Sequence, residues 1–329
     1  MKYRTLGKSG IQISEISLGT WQVGGKWGQA FDFSLADRIL NEAVDGGVNF
    51  IDTADVYGNN IGESETAVGR FVRSRKEKIY VATKCGRQVS PHVNEGYQPQ
   101  VLRKFVEDSL SRMGLETIDL IQLHCPPTEV YYRPEIFELF DRLKTEGKIQ
   151  HLGISVEKIE EAIKGMEYDN VCAVQIIFNM FRQRPNELFF ELAHKHNVGI
   201  LARVPLASGL LTGKFSSSST FEPGDHRNFN RNGEVFDKGE TFAGIDYETG
   251  LKAVEALKEA FPSAHLSQLA LRWILSFPEI SAVIPGASSP DQIMKNLAAA
   301  EAPDISTEQK DIISDIYNAY IKSLVHQRW

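Results

Sequence analysis

Eight short β-rich segments, separated by stretches of helical period, recur along this chain almost from end to end. That rhythm calls for repeated βα units. The strands read as "EISLG" (15–19), "VNFID" (48–52), "KIYVAT" (78–83), "IDLIQL" (118–123), "IQHLGI" (149–154), "CAVQI" (172–176), "VGILARV" (198–204) and "ISAVIP" (280–285). Between them lie amphipathic stretches such as "LADRILNEAVDGG" and "VLRKFVEDSLSRMG", with apolar residues three and four apart and a closing glycine. Nearly continuous apolar strands are buried on both faces, as in a closed parallel barrel with helices outside. The expected fold is an α/β (β/α)8 TIM barrel forming one domain over residues 1–329, a size this architecture reaches routinely.

Several pieces depart from the plain repeat. "YRTLGKSGIQIS" alternates around a Gly-Lys-Ser-Gly turn and reads as an N-terminal β-hairpin capping one barrel end. Residues 207–245, a long loop after strand 7, are too Gly/Ser/Asn-rich for a routine connection. Their aromatics Phe221, Phe229, Phe236 and Phe242 favour a loop that folds onto something. Helices are expected around 246–260 and 265–276, with a last one from about Ser306.

The composition is that of a globular protein, 42% hydrophobic and 24% charged, and the net charge of -7 comes without a basic patch, so nucleic acid is not an expected partner. No apolar run suits a leader or a membrane span, which makes the cytoplasm the expected location. Cys85, Cys125 and Cys172 form no CxxC pair and read as small core residues.

In a parallel barrel the residues just beyond the strands' C-terminal ends converge on one face, where active sites of this architecture sit. Here those ends present Gly19, Thr20 and Trp21; then Asp52, Asp55 and Tyr57; then Lys84, His124, Ser155, Gln175 and Arg203; and finally Pro285, Gly286, Ala287 and Ser288. Singly, each is ordinary: a turn aspartate, a rim tyrosine, a solvated lysine, a core histidine. Their convergence carries the meaning. An unperturbed tyrosine, with pKa about 10, is a poor acid near neutrality, and a neighbouring ammonium stabilises its phenolate. Lys84 would do this for Tyr57, Asp52 would hold Lys84 charged, and His124 would orient a carbonyl oxygen toward the Tyr57 hydroxyl. The set suits proton transfer to or from a carbonyl. His194-Lys195-His196 has the H-x-H spacing of metal-binding barrel hydrolases but precedes strand 7, at the opposite face, so no metal is expected.

Together "FIDTADVYGNNIGESE", "VATKCG", "LIQLHCP", "LGIS", "PLASGLLTGKF" and "IPGASSPDQIMKNLAA" resemble the aldo-keto reductases over essentially the whole chain. The similarity is greatest to the branch of bacterial general-stress and inositol-operon reductases and extends distantly to the potassium-channel β subunits. It implies a barrel that binds NADP(H) in extended form without a Rossmann motif, and reduces aldehydes or ketones by hydride transfer. Tyr57 then matches the general acid, with Asp52, Lys84 and His124 as partners. Gly19, Thr20, Trp21 and Asp52 fall on the nicotinamide side, with Ser155 and Gln175 at its carboxamide. Pro205, Leu206, Ser208, Gly209 and Leu211 match the stretch around the pyrophosphate, with Lys214 beside it. Gly286, Ala287, Ser288, Gln292 and Asn296 match the adenosine end, where a helix start offers free N–H groups, and Arg227 adds charge from the long loop. NADP is implied over NAD. A small carbonyl or alcohol substrate would meet Trp21, Trp27, Tyr57 and His124, with no membrane partner.

The chain departs from the family pattern at three places. Arg203 replaces the usual stacking aromatic, where its planar guanidinium could stack instead; Val156 follows Ser155; and Lys295 replaces a common glutamate. The rival reading is an NADP(H)-binding regulatory subunit with negligible turnover, since the channel subunits share this barrel.

Overall fold

All eight expected strands form, each parallel to its neighbours. In the computed structural model, which describes residues 1–25 and 29–329, β1 (Tyr3–Thr5) and β2 (Gln12–Ser14) pair as an antiparallel hairpin. One sheet then runs in sequence order through β3 (Leu18–Gly19), β4 (Phe50–Asp52), β5 (Tyr80–Cys85), β6 (Ile118–His124), β7 (Ile149–Ser155), β8 (Val171–Ile177), β9 (Gly199–Arg203) and β10 (Ile280–Val283). Parallel bridges Ile16–Val283 and Gly19–Gly286 join its first edge to its last, so the sheet closes on itself. No helix among the described residues is long and apolar enough to cross a membrane.

Strand alternation explains where the site must be. Because successive side chains point to opposite faces, Phe50, Ala82, Leu120, Ala173, Leu201 and Ala282 turn inward together as an apolar floor, closed from below by Leu6 and by Ile13 of β2. Their neighbours Ile51, Val81, Ile121, Val174, Ile200 and Val283 turn outward and pack with the surrounding helices. Two residues further along, the inward positions become Asp52, Lys84, Gln122, Gln175 and Arg203, all buried. A polar layer therefore stands on an apolar one, at the strands' C-terminal end.

The outer shell follows the helical periodicity. In Phe33–Asp45 the buried residues are Ala36, Ile39, Leu40 and Ala43, and the Asp32 side chain caps the helix by accepting from the Leu35 amide. The two late helices are Tyr247–Ala260 and Leu266–Leu275, and the last begins at Thr307, where Ser306 and Gln309 form a capping box. The long loop does fold onto the barrel. Phe221 stands edge-on to Phe215 at 5.2 Å, and Phe236 reaches Phe229 at 6.1 Å and Trp21 at 6.2 Å.

Candidate active site

Two strand ends, one strand and one turn deliver four side chains to one point. Asp52 ends β4, Lys84 lies in β5, His124 ends β6, and Tyr57 hangs from the turn after β4. That turn is fixed by its own bonds: the Tyr57 amide donates to the Ala54 carbonyl, and Glu63 Oε2 accepts from the Asn59 and Asn60 amides. Gly62 closes it at φ 82, where a side chain would be strained and would collide with Arg112.

Lys84 Nζ lies 2.5 Å from Asp52 Oδ2 and donates to the Thr53 carbonyl at 2.8 Å and to the Tyr57 hydroxyl at 3.1 Å. These three bonds use all its donors. The other Asp52 oxygen accepts from Gln122 Nε2 at 3.0 Å and Gln175 Nε2 at 2.8 Å. Gln122 was not singled out from the sequence, although in "IDLIQLH" it stands two residues before His124 and so on the same face. Gln175 serves Asp52 here, in addition to facing the cavity.

Burial disfavours charge on Lys84, yet Asp52 and Tyr57 outweigh it and hold the ammonium above the usual lysine pKa. For Tyr57 the balance is the reverse: burial lifts the phenol above its ordinary value, and the pull of Lys84 only tempers the rise. Lys84 therefore acts on Tyr57 in the expected direction, favouring the phenolate, but burial outweighs it. Tyr57 keeps its proton through neutrality, with a cation beside it to stabilise the phenolate once the proton leaves. Burial, reinforced by Arg87, Lys84 and Arg203, holds His124 well below its usual pKa, so its imidazole is neutral with one N–H to offer. Its ring stands edge-on to Tyr57 at 6.0 Å, and its Nδ1 meets no hydrogen-bond partner among the described residues.

A cavity of about 550 Å³ opens from this cluster. Trp21, Tyr57 and His124 line it with Gly19, Ser155 and Gln175; Arg203, Pro205, Leu206, Ser208, Gly209, Lys214 and Arg227 continue the wall, which ends in Gly286, Gln292, Lys295 and Asn296. Four expected cofactor residues stand off this wall. Thr20 Oγ1 donates to the Asp52 carbonyl and accepts from Ser64, Leu211 and Ala287 are buried in the core, and the Ser288 amide donates to Gln292 Oε1. Trp27 lies outside the described residues. Directly after β9, Val204 (φ 51), Ala207 (φ 47) and Ser208 (φ 54) all hold the left-handed backbone that non-glycine residues avoid. Such conformations cost of order 1–3 kcal/mol each and cluster at ligand clamps.

A model of the aldo/keto reductase family matches residues 15–318. The chain belongs to that family. The chain is 30% identical over 328 residues to an uncharacterized oxidoreductase, YqkF, of Bacillus subtilis, covering 97% of this chain and 99% of the relative. It is 28% identical to the NADH-specific methylglyoxal reductase of Escherichia coli, covering 91% and 93%. The solved aldo-keto reductase AKR11C1 from Bacillus halodurans, in its holo form, superposes with a TM-score of 0.77 at 28% identity over 96% of each chain. The shared fold and family make the chain an oxidoreductase of this class.

This aldo/keto reductase family member also places charges that no sequence motif announced. Arg203 Nη2 donates to the Val156 carbonyl at 3.0 Å and to Glu157 Oε2 at 2.8 Å, so Val156 contributes its backbone to hold Arg203. Glu240, from the long loop, lies 3.7 Å from Arg203 and 3.5 Å from Arg87. Burial opposes charge on both carboxyls, but Arg203 and Arg87 keep Glu157 ionised, whereas burial and the charge of Glu157 push Glu240 up. The only clues were positional: Arg87 falls three residues past Lys84, Glu157 two past Ser155. At the far end of the cavity Arg227 is paired with Asp225 at 2.5 Å and Lys295 with Asp291. All three cysteines are free and buried, and burial pushes their thiols up, away from a reactive thiolate.

Proposed function

We propose that this oxidoreductase transfers a hydride between NADP(H) and the carbonyl of a small aldehyde, ketone or sugar-like substrate, with Tyr57 as general acid in reduction and general base in oxidation. The observation that carries it is Lys84, fully buried and bonded at once to Asp52 and to the Tyr57 hydroxyl at the cavity floor. The neutral His124 beside it can donate to a carbonyl oxygen and hold that oxygen against Tyr57.

The cavity suits a dinucleotide by its donors. A strained turn offers the Ser208 and Gly209 backbone, and the helix Pro290–Leu297, capped by Ser289, opens beside Gly286. Lys214, Arg227 and Lys295 bring cations to the cavity, which favours a nucleotide with an extra phosphate. The relative from Escherichia coli is named for NADH, so the preference is a property to measure. Arg227→Ala is expected to weaken NADPH binding about tenfold and NADH binding far less, the size of losing one charge-assisted hydrogen bond; fluorescence titration with each nucleotide reads the ratio.

A bound reduced nicotinamide supplies the hydride to the carbonyl carbon. The chain's own part is the proton: Tyr57 gives it to the carbonyl oxygen, Lys84 stabilises the phenolate left behind, and Asp52 keeps Lys84 in place. Carbonyl reduction needs Tyr57 protonated, and burial holds its pKa above the ordinary tyrosine value, so kcat should stay level from about pH 6.5 to 9 and fall only beyond. His124, neutral throughout that range, adds no acidic limb. A pH profile with a fixed aldehyde, run on wild type and Glu240→Gln, tests this; a loss of rate centred near neutrality in both would exclude Tyr57 as the proton donor, whereas one confined to wild type would be assigned to Glu240, whose carboxyl burial pushes up to about 8.

A further inference from the structure

Trp329 lies behind the loop segment that reaches the cavity. Its side chain is buried, and its Nε1 donates to Asp237 Oδ1 at 2.8 Å. The same Asp237 oxygen accepts from the Gly239 amide, fixing the turn into Glu240. Two glycines let the segment wrap the indole: a Cβ at Gly239 would come within 3.1 Å of Trp329 and one at Gly244 within 2.6 Å. Arg182, 2% exposed, lays its guanidinium 3.9 Å from the ring centroid and also lies against Gly239. None of its three guanidinium nitrogens has a hydrogen-bond partner among the described residues, and the indole face compensates this buried cation together with the charges of Glu157 and Asp237. The Trp329 carbonyl accepts from Arg184 at 2.8 Å, which pins it to the barrel.

Glu240 carries this anchoring to the cavity. Its carbonyl accepts from Ser208 Oγ at 3.0 Å, and its carboxyl faces Arg203 and Arg87. We infer that Trp329, packed against both Arg182 and the Asp237–Gly244 segment, is a positioning residue that holds Glu240, and through it Ser208 and Arg203, in the geometry that receives the nicotinamide cofactor. This rests on the NADP(H) reading above. No part of Trp329 need touch the cofactor.

The test compares Trp329→Ala and Trp329→Phe with wild type by two readouts. The first is tryptic cleavage after Arg231 and Lys238 in the ligand-free chain, which reports local opening of the segment. The second is the Kd for NADPH by fluorescence titration. Trp329→Ala should be cleaved about tenfold faster and bind NADPH about tenfold more weakly, while Trp329→Phe, which keeps a ring over Arg182, recovers most of both. If Trp329→Ala does not fold, Asp237→Ala is read in the same way. Cleavage and Kd within twofold of wild type would overturn the inference, as would a lowered Tm with neither readout moved. A wild type that fails to bind NADPH would instead overturn the cofactor reading, while faster cleavage of the variant would still support the brace.

Discussion

Tyr57→Phe is expected to lower kcat for carbonyl reduction by roughly 10²–10⁴-fold and to leave the Kd for NADPH unchanged, the range that a positioned proton donor supplies. The substitution removes one oxygen, and that oxygen accepts from Lys84 Nζ at 3.1 Å. The ring itself remains, edge-on to His124 and 6.4 Å from Trp21, so the cavity keeps its shape. Lys84 stays bonded to Asp52 and to the Thr53 carbonyl. A fall in kcat with an unchanged Kd would locate the loss in the chemical step. An unimpaired variant would assign the proton to another group.

Lys84→Met should have the largest effect on stability, a loss of about 3–5 kcal/mol, because removing one partner of a buried ion pair strands the other charge. Asp52 is 3% exposed and Lys84 fully buried, so solvent cannot replace the lost ammonium. Gln122 and Gln175 would still donate to Asp52, but neutral amides do not offset its charge. Urea unfolding of Lys84→Met beside the double variant Asp52→Asn/Lys84→Met checks the cause: the double variant should be the more stable of the two. Equal stability would mean that the cost comes from packing rather than from charge.

The residues that strand alternation governs were legible in advance. Asp52, Lys84 and His124 each follow an apolar run, and an inward position past an apolar floor has nowhere to point but the barrel mouth. The strand bounds were less so. "ISAVIP" is a regular strand only over Ile280–Val283, since Pro285 has no N–H to donate, although the Ile284 amide and the Pro285 carbonyl still bond to neighbouring strands, and "EISLG" forms a regular strand only at Leu18–Gly19, with Ile16 in a lone bridge. Gln122 was readable by the rule that found His124. Glu240 and Trp329 were not, since their contacts join a loop residue to positions 37 and 92 residues or more away along the chain: Arg203 for Glu240, and Asp237 for Trp329. Thr20 illustrates a further limit. It occupies a strand end, as the site rule requires, but its hydroxyl is consumed by Ser64 and the Asp52 backbone. Which strand-end residues face the cavity depends on side-chain pairing that periodicity does not encode.

The most direct measurement is the rate at which the wild-type chain oxidises NADPH when given a reactive aromatic aldehyde, with NADH as the control cofactor and the alcohol product quantified. Aldehyde-dependent oxidation is expected, with one alcohol formed for each NADPH consumed and faster turnover with NADPH than with NADH. A chain that binds NADPH tightly but forms no alcohol would contradict it and point to a nucleotide-binding regulatory protein on the same barrel.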